Sequence, residues 1–311
     1  MAHVSGIDLV IDGHDHREEE QVLKDASGND TLVVEAECHT HMAGIVSWAA
    51  DGSLEHRFVR HDDTNAEDEE VAALVRETVE ETERGLTEVI ASTPFELNGD
   101  SDPGVRTEET NLGDPVADAM LWQAQLVAED SPVLAIVSAG TIRSTISAGD
   151  ITVGNVLEAL PFINELVTIE VTGRELLEAL EASCSLTPKR MGGFPQVAGI
   201  SFSIDTTVPF EPGEPYEGTV YHAPAHAGSR VRIDEVDGAP FDADATYAIV
   251  TIDFVGAGGD TYHVFLDASA RSLKGCGVTL REAFRDYLTD GCSGEVPSEY
   301  ERPQGRITIL K

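Results

Sequence analysis

One stretch divides this chain more sharply than any other: "EDEEVAALVRETVEETERGLTEVIAS", Glu67 to Ser92. Val71, Leu74, Val75, Val79, Leu86, Val89 and Ile90 recur at helical spacing and form one apolar stripe, and the other face is acidic. That period predicts a long amphipathic helix. The sequence before it reads as strands, Gly6–Ile11, "TLVVEA", "GIVSWA" and "LEHRFVR", separated by Gly, Asp and Asn turns with no long helix among them. After it, "TPFELNGDSDPG" breaks the pattern, and from Arg106 onward helix and strand alternate. A helix linking two structural units is expected, with the chain divided into residues 1–62, 63–92 and 93–311.

In the last part, "NLGDPVADAMLWQAQLVAE" offers Asp114 as N-cap and Pro115 as first helical residue. The apolar run "PVLAIVSAG" suits a buried strand. Thr172 and Glu175 stand at capping-box spacing before a helix. "VAGISFSID", "ATYAIVTIDF" and the final "GRITIL" read as strands, and "TLREAFRDYL" as a helix.

Charge narrows the classes of partner. Among 311 residues, 57 are acidic and 20 basic, a formal net charge of −37, and lysine occurs only at Lys24, Lys189, Lys274 and Lys311. Such a surface repels nucleic acid and anionic membranes. The acid is spread through a patterned, foldable sequence, which reads as adaptation to molar salt, where screening over about 3 Å removes self-repulsion. No run approaches the roughly 18–20 apolar residues of a membrane span. The first residues lack the basic-then-apolar pattern of a signal peptide, which leaves localisation open. Cys38, Cys184, Cys276 and Cys292 form no CxxC pair and read as isolated thiols.

Several short segments could carry chemistry. "GIDLVIDGHDH" runs from an apolar strand into His14 and His16, whose i, i+2 spacing on an extended chain would point both side chains the same way, as for metal ligands. The spacing is equally that of solvated histidines at a strand end. "CHTH", Cys38 to His41, follows the next strand and could approach the first pair. "SAGTIR" places Arg143, a planar and permanently charged fork, beside small residues that admit a ligand to the backbone. "DFVGAGGDTY" and "GGFPQVAGI" set Phe254 and Phe194 beside glycine turns, where two aromatics could clamp a flat ring or simply belong to the core.

The order "NLGDPVADAM", "SAGTIRSTI", "GNVLEALPF", "GGFPQVAGISF" and "DFVGAGGDTYHVF" resembles the C-terminal domain of the 5′-nucleotidase family, which includes 2′,3′-cyclic phosphodiesterases and UDP-sugar hydrolases. The likeness covers roughly residues 106–265. "GIDLVIDGHDH" then looks like the last metal-ligand motif of the family's metallophosphoesterase domain. The fold implied is an α+β C-terminal nucleoside-binding domain, preceded by a partial sheet remnant of an α/β metallophosphoesterase domain and a linking helix. The resemblance makes Phe194 and Phe254 the aromatics that sandwich a base, and Asp260 the carboxylate for ribose hydroxyls. It places Arg106 and Arg143 near ribose and phosphate. Ser138 stands where the family usually has asparagine, and Thr141 replaces a glycine of its "NGGGIR" loop.

The resemblance also implies a divalent metal, zinc, manganese or similar, in a two-ion centre to which His14 and His16 contribute a partial site. The other family ligands come from an Asp-x-His motif, a further Asp, an Asn-His-Asp/Glu motif and another His, all expected in sequence preceding this chain. Three readings follow: the substrate-binding part of a split or truncated nucleotidase of nucleotide catabolism, completed by a separate chain; a non-catalytic nucleoside- or nucleotide-binding module; or the remnant of a broken gene. Retained strands that would complete another chain's sheet favour the first.

Overall fold

The computed structural model describes residues 3–14, 16–61 and 66–311. By internal contacts the chain forms two units, residues 1–78 and 79–311.

The first unit is built from short strands. β1 (Leu9–Ile11), β2 (Glu18–Lys24) and β3 (Asp30–Ala36) make a three-stranded sheet in the order β1-β3-β2, with β1 parallel and β2 antiparallel to β3. β4 (Met42–Trp48) and β5 (Leu54–Arg60) form an antiparallel hairpin. Among its described residues, the buried apolar ones are Val33, Val34 and Met42. Ile11 at 75% and Trp48 at 62% exposure, with Val22 also exposed, leave apolar surface facing outward. The helix α1 spans Glu69–Leu86, and Val71, Leu74, Val75 and Val79 of its stripe are exposed.

The stripe was expected to run on through Val89 and Ile90, but both lie in β6 (Val89–Thr93), which pairs antiparallel with β8 (Gly149–Thr152). The helical spacing is real; pairing with β8 overrides it.

The second unit continues with α2 (Gly113–Val127), β7 (Leu134–Ser138), α3 (Val153–Ala159), β9 (Glu165–Thr172), α4 (Gly173–Ser183), β10 (Pro195–Ala198) and β11 (Ile200–Asp205). It closes with β12 (Pro212–Pro215), β13 (His222–Pro224), β14 (Val231–Val236), β15 (Ala239–Pro240), β16 (Thr246–Ile252), α5 (Asp253–Gly256), α6 (Phe265–Ser272), β17 (Lys274–Thr279), α7 (Leu280–Asp286) and β18 (Ile307–Leu310). Capping boxes start α3, α4 and α7 from Thr152, Thr172 and Thr279. The main sheet has the order β10-β7-β16-β9-β17 and a second sheet the order β15-β14-β11-β18. β7 is buried along its whole length, as its apolar run requires.

The strand directions decide where ligand chemistry can gather. β7 and β16 are parallel, and β10 and β9 run antiparallel to them. The segments leaving β7 and β16 and those entering β10 and β9 therefore meet at one end of the sheet. Those four segments carry most of the residues the sequence singles out.

Asp114 does not act as an N-cap. The residue flanking α2 is Leu112, and just ahead of it the Thr110 hydroxyl accepts from the Gly113 N–H at 3.0 Å and its carbonyl from the Asp114 N–H at 3.0 Å. Asp114 is fully buried, its Oδ2 accepts from the Gln304 N–H at 2.9 Å, and Arg306 Nε stands 3.8 Å from its Oδ1. Asp114 Oδ1 and Glu109 Oε1 have no other hydrogen-bond partner, which suits one proton held between two carboxyls. Burial and then the Glu109 charge push Asp114 up to about 8. A carboxyl raised above its unfolded value stabilises the fold fully at acid pH and loses that contribution as pH rises through about 8. Asp114→Asn keeps a donor toward Glu109 without titrating. Urea titrations across pH 5–9 should therefore show stability falling less steeply with pH in the variant; parallel curves would contradict the shared proton.

Candidate functional site

The site is assembled at the end of the main sheet described above. Leaving β7, the Ala139 N–H donates to the Phe194 carbonyl and the Gly140 N–H to the Gly192 carbonyl, both at 2.8 Å. This locks the "SAGTIR" segment onto the "GGFP" segment entering β10. The Met191 N–H donates to the Arg106 carbonyl at 3.0 Å, which draws Arg106 to the same place. The Tyr262 hydroxyl donates to the Gly193 carbonyl at 2.9 Å and ties in the segment after β16. A Cβ on Gly193 would stand 2.7 Å from Thr261 Oγ1 and 3.2 Å from Asp260 Cβ, so only glycine permits this approach.

Asp260 has φ 51° and sits at the centre of the cluster. Burial pushes its carboxyl above the ordinary range, while the Arg106 guanidinium and a hydrogen bond from Ser138 pull it back. The Ser138 hydroxyl also lies 3.2 Å from Thr141 Oγ1 in a buried pair. The Arg106 guanidinium is destabilised by burial, then by the charges of Arg143 and Arg190, and is held up by Asp260. Its Nε is buried without a hydrogen-bond partner. Arg106 thus stands within reach of two other arginines and of the Asp260 carboxylate, in a chain of net charge −37. Like charges gathered against the trend of the whole surface make a local seat for an anion. Arg143 is further fixed by Nη1 donating to the Gly140 carbonyl at 3.3 Å and by its guanidinium lying 5.9 Å from the Phe162 ring centre.

The two phenylalanines part company. Phe254 is 46% exposed, and its ring packs on Gly259, where a Cβ would come within 2.6 Å of it. It presents an aromatic face one residue away from the Asp260 turn. Phe194 is 0% exposed and belongs to the hydrophobic core with Tyr262 and Val197. In this structure the Phe194 ring lies in the core, and its carbonyl accepts from the Ala139 N–H. Phe254→Ala removes a half-exposed ring, so thermal unfolding should change less than for a core phenylalanine. If the ring stacks on a base, losing that contact of about 1–3 kcal/mol should raise the Kd for adenosine roughly 5- to 150-fold. An unchanged Kd in calorimetry would exclude stacking on this ring.

Arg190 was not singled out from the sequence. The signal was available: it directly precedes "MGGFP" in a chain with only 20 basic residues. Tyr221 is a second omission, half-buried and raised by burial and by the Asp260 charge.

In the first unit the histidine pair departs from expectation. β1 ends at Ile11, and His14 and His16 have φ 81° and 59°, in the left-handed region. The alternation that would align them holds only for extended chain. Among the described residues, one group of three ligand side chains converges: His16, Cys38 and His39, with their ligand atoms within 4.8 Å of one another. His14 stands outside it. Asp15 lies outside the described residues.

Comparison with known proteins agrees with this layout. The chain is 34% identical over 278 residues to the trifunctional nucleotide phosphoesterase protein YfkN of Bacillus subtilis, covering 86% of this chain and 18% of that protein. It is 30% identical over 197 residues to protein UshA of Escherichia coli, covering 63% and 30% respectively. The chain thus spans less than a third of the length of either. The structure of a 5′-nucleotidase precursor from Thermus thermophilus superposes with TM-score 0.70 at 28% identity, covering 100% of this chain and 61% of that one. The NAD nucleotidase of Haemophilus influenzae shares the fold with TM-score 0.54 at 16% identity, covering 100% and 64%. No described helix is long and apolar enough to cross a membrane. The family described as "5′-nucleotidase, C-terminal domain" matches residues 89–267, more than half of the sequence, and the chain belongs to that family.

Proposed function

We propose that residues 79–311 bind a nucleoside or nucleotide as the substrate-binding part of a metal-dependent phosphate-ester hydrolase of nucleotide catabolism. The observation that carries this reading is the Arg106 guanidinium, with a buried unpartnered Nε, set among Arg143, Arg190 and Asp260 beside the exposed ring of Phe254. In this arrangement Arg106 and Arg143 donate to an anionic phosphate and Asp260 accepts from ribose hydroxyls. Phe254 stacks on the base, and the Ser138 hydroxyl steadies the Asp260 carboxylate.

The hydrolytic centre draws on residues outside this chain, on a separate polypeptide or on further sequence of a longer one. Exposed Ile11, Val22 and Trp48 support this, as apolar sheet surface awaiting a covering segment. The second reading, a binding module without chemistry, is favoured by His14 standing outside the group of His16, Cys38 and His39. Phosphate release from AMP by the purified chain with Mn²⁺ should stay at the protein-free rate. Turnover that disappears in His14→Ala would overturn the assignment of the centre to other sequence.

The net charge belongs to the same reading: the chain works in concentrated salt. Its thermal midpoint should rise as KCl goes from millimolar to molar, because screening shortens to about 3 Å and relieves self-repulsion. A flat or falling midpoint would count against salt adaptation.

A further inference from the structure

The two segments that carry Arg106 and Arg190 also line a separate cavity. Thr107, Glu108 and Glu109 directly follow Arg106, and Pro188 stands two residues before Arg190. All four line a cavity of about 590 Å³, whose walls include none of Arg106, Arg143, Phe254 and Asp260. Small-molecule sites run from about 300 to 1,000 Å³, so the space admits an organic ligand. Pro103, Pro303, Ile307 and Ile309 give it apolar walls, and Asp102, Glu108 and Glu109 give it carboxyls. Glu109 is 7% exposed. Its Oε2 accepts from the Ile307 N–H at 2.8 Å, and its Oε1 has no hydrogen-bond partner beyond the proton shared with Asp114. One proton between two carboxyls leaves a negative charge at this wall. Arg306 Nε stands 3.8 Å from Asp114, but its guanidinium also pairs with Asp118 at 2.6 Å. Among the described residues no cation pairs with Asp102, Glu108 or Glu109, and Lys311 is the single cation in the cavity wall.

We propose that this cavity binds a small organic cation, an amidinium or ammonium on an apolar body, with Glu108 and Glu109 taking the charge and the proline and isoleucine walls the apolar part. A bare metal ion fits worse. Calcium and magnesium gather oxygen ligands at about 2.0–2.6 Å, whereas the carboxylate atoms of Asp102, Glu108 and Glu109 do not converge within 4.8 Å of one another. An anion would meet three carboxyls and one ammonium. Charge alone would not single out this place in a chain with 57 acidic residues. Burial does: the attraction of a buried carboxylate is screened by salt much less than that of a surface acid. The assignment does not rest on the nucleotide reading.

The test is a calorimetric titration of the full chain with benzamidine in molar KCl, with benzamide as its neutral twin of the same shape. The expected result is one benzamidine per chain, with benzamide binding about 10-fold more weakly or worse. Glu108→Gln and Glu109→Gln should each weaken benzamidine about 10-fold or more, the loss of one charge-assisted contact. Glu108 is exposed, so its variant leaves packing alone, and Glu109→Gln keeps an oxygen for the Ile307 N–H. Circular dichroism confirms that both fold. Glu129→Gln removes an exposed acid beyond the far end of α2 and should change nothing. Benzamidine binding that is absent or unsaturable in the wild-type chain would overturn the site. So would equal affinity for benzamide, unchanged affinity in both cavity variants, or a loss in Glu129→Gln. Benzamidine competing with AMP would place it in the arginine site instead and equally overturn the proposal. A chain that binds benzamidine but no AMP would sink the nucleotide reading and leave this one standing.

Discussion

Arg106→Ala is expected to weaken AMP binding about 10- to 150-fold, since a hydrogen bond to a charged group contributes about 1.5–3 kcal/mol. Adenosine, which lacks the phosphate, should lose much less. The wild-type side chain stands beside two other arginines with its Nε unpartnered, so truncation relieves repulsion and leaves no orphaned partner except Asp260. Its structural role runs through the backbone carbonyl that accepts from Met191, which the substitution keeps. Thermal unfolding should therefore stay close to wild type. Arg106→Lys retains charge but loses the planar fork, and an intermediate Kd is expected. Equal losses for AMP and adenosine would place the phosphate elsewhere.

Glu181→Leu should be the most damaging single change to the fold. Glu181 is fully buried on α4, and its carboxylate accepts from the Ser229 hydroxyl at 2.9 Å, from the Arg230 N–H at 3.1 Å, from the Val231 N–H at 2.9 Å and from the Gly228 N–H at 3.2 Å. Arg230 in turn donates to the Ser185 and Thr187 carbonyls at 2.8 and 2.9 Å. The carboxylate thus anchors the start of β14 to α4. Removing it strands several buried N–H groups, and breaking a buried charged network costs about 3–5 kcal/mol. Glu181→Gln, which keeps one acceptor, should fall between. A urea midpoint for Glu181→Leu within about 1 kcal/mol of wild type, at unchanged slope, would refute the anchor.

Much of the second unit was legible because its signals are local. Apolar runs gave β7 and β16, and Thr172 with Glu175 marked the start of α4 through a box that closes over three residues. The failures share a different cause. Val89 and Ile90 continue a helical stripe, but β8, some sixty residues on, recruits them into a sheet. Asp114 has the chemistry of an N-cap, yet its partners are Glu109 and the distant Gln304 and Arg306. Phe194 and Phe254 each stand beside glycine turns, and nothing in either pattern tells a core ring from an exposed one. That depends on what each ring meets after folding. The histidine pair failed because its alternation presumes extended backbone, and the chain turns left-handed there.

The same contrast holds for the site. Arg106, Ser138, Arg143, Phe254 and Asp260 were each legible as motif residues, and the fold brings them to one end of one sheet. Arg190 and Tyr221 carry no motif of their own and show only once neighbouring strands fix their positions.

If this sheet end takes a nucleotide by its phosphate and its base together, the two halves of the ligand must each contribute to one binding event. The decisive measurement is calorimetric titration of the full chain with AMP in molar KCl, repeated with adenosine and with inorganic phosphate. Saturable binding of one AMP per chain is expected, with each of the two fragments binding more weakly and competing with AMP. No AMP binding, or AMP and adenosine binding with equal affinity in both wild type and Arg106→Ala, would contradict the proposed site.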